Sequence, residues 1–543
     1  MSWNFGADVP IRHERHYEDR VMQCFARRAC GPYESFTRAV AERPDAEALI
    51  VDDTRLSYAA LDQQANAVAA GLAQRGIRPG DRVAMLLSNR MEFVTTLLAA
   101  LRLGAIVVPI GTRLQTPEIA YILAHSGAAV LVHDTELTSR LPLPADMPEL
   151  RLRVAAGENT NLGTTNSNAQ GGSESFASLC LKGHAPPVHK AAQDAVVAIL
   201  YTSGTTGKPK GATLTQINFA HSMLNYFHSM KMSPQDRTIM AVPASHVTGL
   251  VANIMLAWEA QCTLIMMPEF KARSFLELAA REKMTHTVLV PAMYNLCILQ
   301  PDISSFDLSS WRVGGYGGAP MAETTIASLT RKVPGLGLYN IYGSTETCSP
   351  VTILPSELAA ERPDSTGFAL PCTEIIVVNE EGCEVPRGDS GELWIRGPMV
   401  VPGYWANTEA TQAGFVSGYW RSGDIGSIDA LGFVRVLDRL KDMLNRGGFK
   451  IYSVEVENVL LEHPCVIESA VLGKPCPVLG ERVHAFVQLK QGSLIQAEEL
   501  RSFCAERLAD YKVPESFTLG TKPLARNANG KLLKREMRAQ LTT

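Results

Sequence analysis

Apolar residues recur along this chain in two rhythms. In residues 30–135, stretches with a helical period, such as 58–75, alternate with short apolar runs, Arg82-Val-Ala-Met-Leu-Leu87 and Ile106-Val-Val-Pro-Ile110. Short apolar runs bounded by turn residues are the pattern of buried strands. Their alternation with helices predicts an α/β protein of layered, mostly parallel sheets. Further strands are predicted at 195–200, 238–242, 263–267 and 285–290. Ligands bind such sheets beyond the carboxyl ends of the strands. Four motif loops follow strand candidates in this way, at Thr202, Pro243, Gly314 and Tyr342. Beyond Asp438 the rhythm changes. Strands at 466–471 and 484–489 and a helix over 497–509 predict a small α+β unit. Residues 157–175, rich in Asn, Thr, Ser and Gly, read as an exposed, mobile insertion without chemistry.

Length and composition narrow the picture. At 543 residues the chain exceeds one ordinary core, so two or more domains are expected. With 46% hydrophobic and 20% charged residues it reads as a soluble globular protein. A net charge of −4 with no polybasic cluster excludes an obvious nucleic-acid or anionic-membrane partner. The first ten residues lack the basic and apolar regions of a secretory signal. The apolar stretch 94–110 is interrupted by Arg102 and is short for a membrane span. It is read as a buried helix followed by a strand. Eleven cysteines without a C-x-x-C pair suggest neither a zinc ribbon nor a disulfide framework, so reduced thiols and a cytoplasmic location are expected.

The densest chemistry lies in Tyr201-Thr-Ser-Gly-Thr-Thr-Gly-Lys-Pro-Lys-Gly211, with four hydroxyl residues, three glycines and two lysines within eleven positions. Glycines let backbone N–H groups approach an anion, and hydroxyls and ammonium groups add donors. The loop suits a polyphosphate. It is not a Walker A loop, because Gly204 and Gly207 are separated by only two residues and Pro209 follows Lys208. A second string, Tyr342-Gly-Ser-Thr-Glu-Thr347, joins an aromatic ring, a flexible turn, hydroxyls and one carboxylate. These types suit a purine, a phosphate and a hard cation. Alone, each string is also compatible with a solvated turn.

Together, in this order from about Phe36 onward, the strings resemble the adenylate-forming superfamily: acyl-CoA synthetases, peptide-synthetase adenylation domains and beetle luciferases. The resemblance implies that Thr202, Ser203, Gly204, Thr205, Thr206, Gly207 and Lys210 hold the phosphates of ATP. It implies that Tyr342 flanks adenine within Tyr342-Gly343-Ser344, that Thr345 contacts the α-phosphate, and that Glu346 binds Mg²⁺. Gly318, Ala319 and Pro320, in Gly314-Gly-Tyr-Gly-Gly-Ala-Pro320, correspond to the other side of the adenine site. Asp424, in Tyr419-Trp-Arg-Ser-Gly-Asp424, and Arg439 correspond to ribose ligands. Lys531, ending Asn527-Ala-Asn-Gly-Lys531, corresponds to the catalytic lysine. Lys441 occupies the hinge position, and Gly447 and Gly448 correspond to the loop lining a pantetheine tunnel.

The resemblance also assigns Pro243-Ala-Ser-His-Val-Thr-Gly249 to the acyl site, with His246 contacting the carboxylate or lining the pocket. Ser245 stands where relatives usually have Phe or Tyr, and Tyr316 where they often have Ser. Tyr316 either narrows the pocket or packs in the core. Val247, Val251 and Cys348 complete the pocket candidates. The implied organisation is a large domain over 1–438, a hinge at 439–441, and a mobile domain over 442–543. The implied reaction joins a carboxylic acid to CoA through acyl-AMP, using ATP and Mg²⁺. Transfer to a carrier-protein arm and a silent adenylate-binding regulator stay open as alternatives. The acid reads as aryl or as medium- to long-chain fatty, and homodimerisation is left open.

Overall fold

The computed structural model describes residues 9–157, 172–181, 183, 186–202, 208–447, 449–526 and 532–541. The insertion predicted at 157–175 lies mostly outside them, as do Ser203, Gly204, Thr205, Thr206, Gly207, Gly448 and Lys531. The chain divides into two compact units, one drawn from 1–321, 327–374 and 395–420, the other from 322–326, 375–394 and 421–543.

Two sheets dominate the first unit. One has seven strands, paired in parallel except for the antiparallel edge strand Lys210–Thr215. The other has nine, with a parallel centre and antiparallel edges. Their central strands are buried on both faces, as in Ile106–Pro109. That explains why they read as continuous apolar runs rather than alternating ones. The 94–110 stretch is the helix Met91–Leu103 followed by the strand Ile106–Pro109. No helix among the described residues is long and apolar enough to cross a membrane.

Two details differ from the sequence expectation. The glycine string at 314 is not a loop following a strand. It is itself the strand Val313–Gly317. Glycine is needed because this strand is crowded: a Cβ on Gly317 would lie 2.4 Å from the carbonyl oxygen of Ile341. The turn begins only at Gly318, whose φ of +78° favours glycine. Secondly, an N-terminal hairpin, Ile11–His16 with Arg20–Phe25, precedes the first predicted element. Its turn puts Tyr17 and Glu18 at φ 50° and 67°. They are the first two of the three turn residues, 17–19, that lie between the paired His16 and Arg20.

The helix Gln216–Ser229 is almost wholly buried, polar residues included. Among these, Asn218 accepts from the Thr215 amide (2.8 Å) and donates to the carbonyls of Pro398 (2.8 Å) and Val400 (3.2 Å).

The second unit contains the antiparallel pair that sets Asp424 opposite Arg439. It also contains a five-stranded sheet beginning at Leu444, whose apolar core includes Leu444, Val471, Val483 and Leu500. The helices Ser453–Leu461 and Ala497–Ala505 belong to it.

Candidate active site

In the first unit, candidate residues gather at strand ends. The strand Val196–Thr202 ends at Thr202, and Gly337–Tyr342 ends at Tyr342. A short 3₁₀ turn, Thr345–Thr347, follows Tyr342 and is capped by Ser344, whose N–H donates to Thr347 Oγ1 (2.9 Å). The turn fixes Glu346, which is only 7% exposed.

Three hydroxyls surround this buried carboxylate. Ser344 donates to Oε2 at 2.7 Å, Tyr404 to Oε1 at 3.0 Å, and Thr202 reaches Oε1 at 3.5 Å. Among the described residues no cationic side chain forms an ion pair with it. A buried carboxylate held only by neutral donors is costly unless a cation completes it. Oxygen-rich surroundings of this kind suit Mg²⁺. Burial, reinforced by the Glu346 charge, pushes the Tyr404 hydroxyl well above the usual phenol range, so it stays a donor.

Tyr404 and Asn89 were not singled out in the sequence. Tyr404 lies on a strap locked to the edge strand Lys210–Thr215. The Trp405 amide donates to Gly211 O (2.7 Å), and Thr213 donates to Gly403 O through N–H (3.1 Å) and hydroxyl (2.7 Å). The Val401 amide donates to Glu346 O (2.9 Å). Lys210 Nζ lies 5.2 Å from the Tyr404 ring centroid. The hairpin braces the same strap. Arg20 donates to Val401 O (3.3 Å) and Pro402 O (3.0 Å), and Tyr17 meets Thr215 hydroxyl to hydroxyl at 2.7 Å. Asn89 anchors the 243–249 loop: its Oδ1 accepts from the Ala244 amide (2.8 Å), and its Nδ2 donates to Val242 O and Met267 O (both 3.0 Å).

The acyl-site candidates divide. His246 is half-buried at the N-cap of the helical stretch that begins at Val247–Gly249. Gly249 must be glycine here, because a Cβ would fall 2.2 Å from Pro243 O. Val251 is fully buried in the segment Leu250–Met255. Cys348 is buried, its thiol raised by burial, with the Ser222 hydroxyl beside it. Tyr316 is also buried, but strand alternation sets it opposite Gly315, which faces Met230 and Ile341. The described geometry gives no contact joining Tyr316 to Cys348. Gly318, Ala319 and Pro320 are exposed beyond their strand.

In the second unit, Arg439 Nε pairs with Asp424 Oδ1 at 2.6 Å. Lys441 is exposed, and its carbonyl accepts from Arg538 (3.4 Å). Gly447, at φ 59°, donates its N–H to Leu479 O (2.8 Å).

One further cluster, Glu14, His16 and Cys24, brings its donor atoms within 4.8 Å of one another. Arg28 already neutralises Glu14 at 2.6 Å, and His16 pairs with Asp194 at 2.6 Å. A metal ion would have to displace both.

Residues 36–405 match the AMP-binding enzyme family, and 455–531 match the AMP-binding enzyme C-terminal domain. The chain belongs to the AMP-binding enzyme family. Feruloyl-CoA synthase of an Amycolatopsis species is 36% identical over 496 residues, covering 91% of this chain and 96% of that protein. The long-chain-fatty-acid–CoA ligase FadD13 of Mycobacterium tuberculosis is 33% identical, covering 90% and 93%. Among solved structures, the anthranilate CoA ligase AuaEII bound to anthranoyl-AMP superposes with a TM-score of 0.86 at 26% identity, covering 94% and 97%. The o-succinylbenzoate CoA synthetase of Bacillus subtilis, bound to ATP and magnesium, gives 0.81 at 30% identity, covering 94% and 99%. The hairpin at 11–25 precedes the residues that match the AMP-binding enzyme family.

Proposed function

We propose that the residues gathered around Glu346 activate the acid in an AMP-forming acid–CoA ligase. The enzyme converts a carboxylic acid and ATP to acyl-AMP and pyrophosphate, then passes the acyl group to the thiol of CoA with release of AMP. The observation carrying the site assignment is a buried carboxylate, bonded among the described residues to hydroxyls only, one of them on Thr202 at the end of the strand Val196–Thr202.

Glu346 would hold Mg²⁺, with Ser344, Thr202 and Tyr404 fixing its two oxygens. The bound ion supplies charge neutralisation at the phosphates. Lys210 and Thr345 add donors toward the phosphates, and Tyr342 with Gly318-Ala319-Pro320 encloses the base. His246, on the loop anchored by Asn89, orients the acid. The motif matches support Asp424 and Arg439 as ribose ligands, Lys531 as the lysine that neutralises charge in the first step, and Gly447-Gly448 as the thiol path. They likewise support a hinge at 439–441 between 1–438 and 442–543. Eleven unpaired cysteines support a cytoplasmic setting.

The test is Glu346→Gln, nearly isosteric but without the anion. Acid-dependent ATP–pyrophosphate exchange should fall by at least about 10²-fold, the scale of losing one preorganised electrostatic contact. Exchange near the wild-type rate would overturn the assignment.

A further inference from the structure

We infer that the acid carries, away from its carboxyl end, a neutral hydrogen-bonding group such as a hydroxyl, ether, carbonyl or amide, read by Asn225 and its neighbours on the helix Gln216–Ser229. This rests on the acid-activating reading above.

Asn218, Ser222, Asn225 and Ser229 are spaced four, three and four apart, which lines them along one helix stripe. Asn218 is fully bonded. The rest of the stripe is different. Asn225 is 0% exposed, yet both its Oδ1 and Nδ2 lack any hydrogen-bond partner. Ser229 Oγ, at 1% exposure, also lacks one. Ser222 Oγ has only the weak Cys348 thiol beside it. Native proteins rarely leave such groups orphaned, because each forfeits its hydration without replacement.

The location ties the stripe to the reaction. Ser222 borders Cys348, two residues after Glu346. One position off the stripe, Tyr226 bonds Ser349 hydroxyl to hydroxyl at 2.8 Å. The helix also packs on Leu250–Met255, the acyl-site segment that holds Val251. There Asn253 spends its Nδ2 on Thr248 O (3.0 Å), while its Oδ1 is unpartnered. Orphan polar groups therefore occur on both elements that meet beside the acyl candidates. From Ser222 to Ser229 the helix rises about 10 Å at 1.5 Å per residue.

The stripe also limits charge. The helix carries no Lys, Arg, Asp or Glu. On this helix a second carboxylate or an ammonium of the substrate would find no charged partner. A wholly apolar chain would leave the orphan groups unsatisfied. A neutral donor or acceptor suits the stripe better than either.

The test uses matched acids: 4-hydroxycinnamic against cinnamic acid, and 10-hydroxydecanoic against decanoic acid. Each is assayed with ATP, Mg²⁺ and CoA on the full chain, alongside Asn225→Leu. A site built to bond a substrate hydroxyl rejects the analogue lacking it strongly. In at least one pair, wild-type kcat/KM should favour the hydroxylated acid by about 10-fold or more, and Asn225→Leu should bring the ratio to within about 2-fold. The ligand-free Asn225→Leu protein should also unfold at a higher temperature, because an unpaired buried amide has been removed. Equal use of both members in both pairs, discrimination that survives Asn225→Leu, or a lowered melting temperature would each overturn the inference. Absence of AMP release with every acid would instead count against the acid-activating reading beneath it.

Discussion

Thr202 and Glu346 lie 144 positions apart in sequence, and the fold brings their side chains to 3.5 Å. Their motifs were legible because each packs several chemical types into a few residues. Tyr404 and Asn89 were not. Pro402-Gly-Tyr-Trp405 by itself is a turn string, and a lone Asn carries no signal until its three backbone partners are seen. At this scale Tyr404→Phe separates a contact from mere packing. Removing one donor to a charged carboxylate costs about 1.5–3 kcal/mol. The half-saturating Mg²⁺ concentration for pyrophosphate exchange should therefore rise roughly 10-fold or more. An unchanged magnesium titration would make Tyr404 a packing residue only.

Elements with a clear apolar period were read within a few residues, as for the helix Tyr58–Gln74 and the strand Thr263–Met266. Two others escaped. The Val313–Gly317 strand looks like a loop because crowding, not flexibility, selects its glycines. The Ile11–His16 strand escaped because five of its six residues are polar. Its hairpin nonetheless reaches the site through Arg20. Arg20→Ala would strip the guanidinium from the Val401 and Pro402 carbonyls, so the strap bearing Tyr404 should loosen. The magnesium requirement should rise in the same direction as for Tyr404→Phe. Purified active fractions with wild-type magnesium dependence would show that the brace is purely structural.

His221 makes the hairpin acid-sensitive. Its Nε2 accepts from the Phe25 amide at 3.1 Å, while Nδ1 donates to Ile217 O at 3.0 Å. Only the neutral ring can do both. Burial pushes this His down to about 3 from its ordinary value of 6.5. The unfolded state then gains a proton between those values and the folded state does not, so stability is lost as pH falls below about 6.5. By pH 5 this one group should cost about 2 kcal/mol. Urea midpoints at pH 7 and pH 5 check it: His221→Leu should flatten the loss, and an unchanged slope would exclude His221 as its source.

For the whole molecule, layered sheets and a distinct C-terminal α+β region were legible from the change of rhythm near Asp438. The grouping of 375–394 with the later residues was not, because it depends on pairing between strands distant in sequence. Two-step chemistry by domain rotation is argued from the Lys441 and Lys531 motifs. Lys441→Pro locks one backbone φ at the proposed hinge. Pyrophosphate release should persist while thioester formation from acyl-AMP slows sharply; a normal second step would remove Lys441 from the hinge.

One site is expected to join an acid to CoA through an adenylate. Product analysis with ATP, Mg²⁺, CoA and a panel of carboxylic acids tests it most directly. AMP, pyrophosphate and acyl-CoA should form in equal amounts, only when a suitable acid is present. Release of ADP and phosphate, or AMP formation independent of any acid, would contradict it.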